Sequence, residues 1–272
     1  MDHDDEIVGK IFTRREALSI AGRAGLMLAS GASLIPALGS GRSQTSGQKV
    51  HLIAAPSMTE GPFFVDEKLN RSDIRGGSTR HTITEALPML LNLTIYSGNS
   101  PEKFVPLANA QVDVWHVDAS GTYSDEPQGL NPEDTKGANW LRGYQVTDSN
   151  GQVRFTTVFP GWYEGRTTHI HFKVRYHPEA NKHATFTSQL FVQDEFADKI
   201  YANSPYRERP SNAIRNRSDQ VFSDPLPDGS PVGKSMTITP TRAKSGSGIE
   251  AHFAVALLRQ PEPKGGLFDY GG

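Results

Sequence analysis

Tyr163, Arg166, His169 and His171 stand within nine positions of one another in PGWYEGRTTHIHF, residues 160–172. Side chains alternate faces along a strand, so His169 and His171 point one way while Ile170 and Phe172 point the other. Two imidazoles on one face can share a metal ion. The phenol of Tyr163 becomes a hard anionic ligand once deprotonated, and a trivalent cation can remove that proton although free tyrosine has a pKa of about 10. Phenolate with imidazole suggests ferric iron rather than zinc. A plain amphipathic strand gives the same pattern, with Thr167, His169, His171, Lys173 and Arg175 on a solvated face and Thr168, Ile170, Phe172, Val174 and Tyr176 on the buried one. The alternation alone does not separate the two readings.

The rest of the chain bounds the chemistry. The 272 residues contain no cysteine, which excludes disulfides, thiolate zinc sites, iron–sulfur ligation and cysteine nucleophiles. Any metal must be held by nitrogen and oxygen. A net charge of -2 and the lack of a basic block with interleaved aromatics give no reason to expect nucleic acid as a partner.

The elements that must position these residues read as strands. Short alternating runs separated by Gly, Asn, Asp and Pro recur at Leu91 to Tyr96, Ala110 to Val117, Gln152 to Thr157, His169 to Tyr176, Thr185 to Val192, Met236 to Thr239 and Ile249 to Leu257. Such spacing predicts an all-β, antiparallel β-sandwich with long loops. One short helix is expected over Asp194 to Asn203, with Asp194 as its cap. Residues 1–45 read as a signal and linker: Arg14-Arg15 precede a small, apolar stretch and then a Ser/Gly/Gln linker, resembling a twin-arginine export signal. Export to the periplasm or beyond follows, with no lasting membrane span once the signal is removed. Residues 46–272 are expected to form a single catalytic domain.

A second phenol lies upstream. Tyr123 follows the run Val112 to Asp118 and falls just past the strand end, where functional loops sit. Thr59-Glu60-Gly61-Pro62, Trp115-His116 through Tyr123, Arg142-Gly143 through Thr147-Asp148, residues 160–172 and Thr187 to Phe191 together resemble the intradiol ring-cleavage dioxygenases, the catechol and protocatechuate dioxygenase superfamily. That resemblance covers roughly Thr59 to Arg209. It implies a prealbumin-like core and an Fe(III) cofactor held by Tyr123, Tyr163, His169 and His171. It further implies that Tyr163 is the displaceable ligand, that Arg166 stabilises the electron-rich substrate, and that Gln189 lies near it. The substrates implied are a catechol-type diol and O2, with cleavage between the two hydroxylated carbons to a muconate-type product. Between Ser40 and Leu90 no helical periodicity is long enough for the dimerisation region of catechol 1,2-dioxygenases, which argues against their lipid-bridged dimer but leaves a homo-oligomer open. The alternative is a non-catalytic prealbumin-like binding module, which shares the Pro-Gly-Trp-Tyr pattern but lacks the histidine pair. His116 is expected to be packed or hydrogen-bonded rather than a ligand.

Overall fold

The structure, a computed structural model, describes residues 54–100, 103–129, 131–177, 183–208, 214–244 and 246–258. The signal and linker expected over residues 1–45 and the end of the chain beyond 258 lie outside the described residues. No helix among the described residues is long and apolar enough to cross a membrane.

Two five-stranded sheets pack face to face. The first is built on β1 (Pro88–Gly98), whose alternation buries Met89, Leu91, Leu93 and Ile95. Along one edge of β1 lie β2 (Val105–Pro106) and β5 (Gln152–Val158). Along the other runs β10 (Ile249–Leu258), which carries β9 (Thr241–Arg242). The second sheet has the order β4-β3-β6-β7-β8, comprising β3 (Gln111–Trp115), β4 (Arg142–Val146), β6 (His169–Tyr176), β7 (Ala184–Val192) and β8 (Thr237–Ile238). Ile170, Phe172 and Val174 of β6 join Leu91, Phe155 and Val255 of the first sheet in one principal core.

All seven expected runs are strands, but the sheets are mixed rather than antiparallel. β1 and β10 pair in parallel over the register Met89↔Ile249 to Gly98↔Leu258, and β7 and β8 also pair in parallel. Alternation reports which face a side chain takes and is blind to strand direction, and long connections make parallel neighbours feasible. The expected helix spans Asp194–Tyr201, with Gln193 rather than Asp194 at its cap position. The Asp194 carboxylate instead accepts from the Asn216 amide at 3.0 Å.

The outer face of β6 is not solvated. Residues 57–66 run across it, tied by Met58 N–H donating to the Thr187 carbonyl at 2.9 Å and by ion pairs of Glu60 with Lys173 (2.8 Å) and Asp66 with Arg175 (2.9 Å). Phe63, Trp115, Val117 and Tyr123 form a second, smaller apolar cluster there, with Phe64 and Tyr163 against it. A sheet face covered by an irregular segment can bury polar side chains that a bare sheet would leave in water.

Candidate metal centre

His169 and His171, the first and third residues of β6, lie in this covered layer and are 3% and 1% exposed, which removes the solvated-face reading. Their Nε2 atoms lie 3.1 Å apart. Tyr163 lies on the irregular approach to β6, with its hydroxyl 3.4 Å from His169 Nε2. Tyr123 comes from the loop after β3, its ring 5.6 Å from that of Tyr163 and 6.4 Å from that of His171. The four side chains read as a donor set in sequence are therefore brought together.

Local hydrogen bonds explain how each is held. The Asp118 carboxylate accepts from the amides of Ser120 and Thr122 and from the Thr82 hydroxyl, which shapes the turn leading to Tyr123. The Asn131 side chain pairs with both the N–H and the C=O of Tyr123 at 3.0 Å, standing in for a missing neighbouring strand. Thr135 donates to the same carbonyl at 2.8 Å. Phe63 stacks on the Tyr123 ring at 4.3 Å, and the buried Arg142 guanidinium holds the adjacent Ser124 carbonyl and pairs with Glu126. Gly161 permits the opposing approach of Tyr163: a Cβ there would lie 2.5 Å from the Ala119 carbonyl oxygen and 2.6 Å from that of Asp118.

Burial keeps all four donor side chains uncharged. His169 Nδ1–H donates to the Thr167 carbonyl at 2.6 Å, which leaves Nε2 as a lone pair facing the site. Burial, reinforced by Arg166, pushes His169 down to about 3, and burial beside His169 pushes His171 down as well, so both imidazoles are neutral. Burial raises the Tyr123 phenol well above its usual range, and the nearby Tyr163 adds to this. Burial raises Tyr163 too, against the pull of Arg166. The Tyr123 hydroxyl and His171 Nδ1 are buried without a hydrogen-bond partner. A metal at the lone pairs would supply the Tyr123 oxygen with the partner it lacks and reverse the cost of its ionisation. Two neutral nitrogens and two ionisable phenols fit a hard trivalent ion. Among the described residues no group of three or more His, Cys, Asp or Glu side chains is placed to hold a metal ion, and the two histidines here are joined by phenols instead.

Arg166 joins the same cluster. Its Nη1 is 3.4 Å from both the Tyr163 hydroxyl and His169 Nε2, and its Nη2 donates to Gln189 Oε1. Gln189, directly opposite His171 in the sheet, donates in turn to the Thr59 carbonyl at 2.9 Å. The partner that proximity suggests for Arg166, Glu164, is not the one it takes. Arg166 Nε pairs with Asp219 at 2.8 Å. His116 is structural, bonding the Val117 carbonyl (2.8 Å) and the Thr157 hydroxyl (2.7 Å) away from the cluster. Asn131, Thr135 and Asp219 were not singled out from sequence, and no local spacing marks them.

A cleft of about 350 Å³ lies between residues 57–59 and the short helices Gln220–Ser223 and Val232–Ser235, and none of the four donor side chains lines it. Tyr163 and Arg166 are partly exposed, whereas the two histidines and Tyr123 are not.

A family model described as Dioxygenase matches residues 60–220 and so contains every residue of this cluster. Among curated proteins, the chain is 29% identical over 171 residues to a catechol 1,2-dioxygenase of Acinetobacter baylyi, covering 53% of this chain and 50% of that protein. It is 28% identical over 171 residues to the protocatechuate 3,4-dioxygenase beta chain of Burkholderia cepacia, covering 59% and 68%. The chain thus spans about half the length of the Acinetobacter relative. Among solved structures, the intradiol ring-cleavage dioxygenase from Tetranychus urticae superposes with a TM-score of 0.62 at 30% identity, over 75% of this chain and 94% of that one. With a family match over more than half of its residues and a solved relative covered almost end to end, the chain belongs to the intradiol ring-cleavage dioxygenase family.

Proposed function

We propose that the protein is a non-haem Fe(III) intradiol dioxygenase that inserts both atoms of O2 into a catechol-type diol and opens the ring between the hydroxylated carbons. Tyr123, Tyr163, His169 and His171 hold the iron in this reading. The observation that carries it is the convergence of two buried neutral imidazoles and two phenols, one of them an orphaned hydroxyl. Family membership supports the same reaction class. A ferric ion held by these four residues would supply the Lewis acidity and redox activity that prepare a bound diol for reaction with O2.

The protein's own groups divide the remaining work. Two phenolates offset most of the charge of Fe(III), and His169 and His171 anchor it without adding any. Tyr163, partly exposed beside Arg166, is the phenolate placed to take a proton from an incoming diol at its hydroxyl oxygen. Tyr123, wholly buried beneath Phe63, stays in place. Arg166, with Nη1 3.4 Å from the Tyr163 hydroxyl, is the cation that stabilises negative charge growing on the substrate in this reading. Gln189 bridges Arg166 to the Thr59 carbonyl and so acts on the substrate through Arg166.

Residues 1–45 support export by the twin-arginine route, which carries folded proteins and would let iron be loaded beforehand. The test of the whole reading is colour and oxygen uptake. Iron-loaded protein should absorb broadly in the visible through tyrosinate, and it should consume O2 with a catechol to give a ring-opened diacid. Colourless protein after expression with ample iron would sink it.

A further inference from the structure

We propose that Asp219 is a positioning residue for Arg166, resting on the reading of Arg166 just given. Its carboxylate is 0% exposed and ties residues 166–167 to the start of the helix Gln220–Ser223. Oδ2 accepts from Arg166 Nε and from the Thr167 amide, each at 2.8 Å, while Oδ1 accepts from the Phe222 amide at 3.0 Å and caps the helix Gln220–Ser223. Its partners are themselves fixed. The Thr167 hydroxyl donates to Asn216 Oδ1 at 2.7 Å, and Asn216 Nδ2 donates to the Val192 carbonyl at 2.8 Å. Phe222 packs edge-on against Phe191 at 5.0 Å, and its ring leaves no room for a Cβ at Gly233, which would approach to 2.2 Å.

The geometry follows from how a guanidinium is divided. An arginine has a long, freely rotating stem, and a buried site gains from one that is already oriented. Here Asp219 takes Nε and Gln189 takes Nη2. Nη1 is thereby aimed at the Tyr163 hydroxyl and His169 Nε2, both 3.4 Å away. Gln189 alone is a neutral acceptor on one arm. The carboxylate supplies the charge that keeps the fork from swinging toward water, since Arg166 remains partly exposed.

The test compares iron-loaded wild type, Asp219→Asn, Arg166→Gln and the double variant in catechol-dependent oxygen uptake. Asp219→Asn should lower kcat on the order of 100-fold while KM changes far less, as expected when an aligned group is loosened. The double variant should be no slower than Arg166→Gln alone, because nothing is left to position. Losses that multiply, or wild-type kcat in Asp219→Asn, would overturn the proposal. Should the asparagine variant not fold, Asp219→Ser keeps a hydroxyl cap for Phe222 and is held to the same pattern. A second readout needs neither iron nor turnover. In urea unfolding of the metal-free proteins, the effects of the two substitutions should depart from additivity by about tenfold in the unfolding constant, and strict additivity overturns the clamp. An iron-loaded wild type that consumes no oxygen, with this coupling intact, would overturn the dioxygenase reading instead.

Discussion

The indole of Trp115 lies flat against the imidazole of His171, with ring centroids 4.9 Å apart and planes 13° from parallel. The two residues face each other across β3 and β6, and His171 Nδ1 has no hydrogen-bond partner. Its companion His169 is oriented by a carbonyl; His171 is oriented by packing. Trp115→Leu should therefore cost about 3 kcal/mol in stability through lost burial and, separately, lower iron affinity by on the order of tenfold. Denaturant unfolding of the metal-free protein and metal competition measure the two effects. Unchanged iron affinity would show that stacking does not orient the ring.

Tyr123→Phe should separate holding iron from holding the fold. The Tyr123 hydroxyl is buried and unpartnered, so removing it should leave the metal-free protein as stable as wild type or about 1 kcal/mol more so. Iron content and visible colour should fall sharply in the same variant. A stability loss equal to that of a core truncation would mean that the hydroxyl has a structural partner.

Gly161→Ala should damage the site from its base. The added methyl would meet two backbone oxygens at 2.5 and 2.6 Å, neither on a flexible side chain. The approach to Tyr163 must then separate from the turn at Asp118 that leads to Tyr123, at a cost of about 2–3 kcal/mol. Thermal unfolding checks the cost, and loss of colour at matched iron checks the displaced phenols.

His116 predicts a pH dependence that does not involve the metal. Burial pushes it down to about 4, so the unfolded chain binds its proton below about pH 6.5 while the native protein does not. Its share of stability is complete above the unfolded value and is lost as pH falls toward 4, by about 1.4 kcal/mol per pH unit. His116→Gln should flatten the slope of unfolding free energy between pH 6 and about 4.5 by one proton. An unchanged slope would mean that other groups carry it.

Part of this arrangement was legible in the chain itself. His169 and His171 share a face because a strand has period two, and Ile170 and Phe172 confirm its direction by being core. Tyr123 could be placed only as a loop residue after a strand; that it turns inward depends on Asn131 and Thr135, eight and twelve residues away. Arg166 was legible as a cation near the histidines, but its partner was not. Glu164 is adjacent in sequence, yet the turn at Gly165 leaves it exposed, while Asp219, 53 residues on, reaches in. Strand direction was hidden for the same reason: alternation is local, and the pairing of β1 with β10 joins residues roughly a hundred and sixty positions apart.

That pairing bears on how the domain is assembled. β1 is an inner strand of its sheet, and one whole edge of it, from Met89 to Gly98, is satisfied by β10. Until β10 has been synthesised, the N–H and C=O groups along that edge have only water or another molecule as partner. Pairing over so long a loop is slow to form, so the nascent chain spends time with an open, apolar edge. A nonsense change between Asp219 and Ile249 would then yield a protein that still contains every residue of the candidate metal centre and yet aggregates through β1.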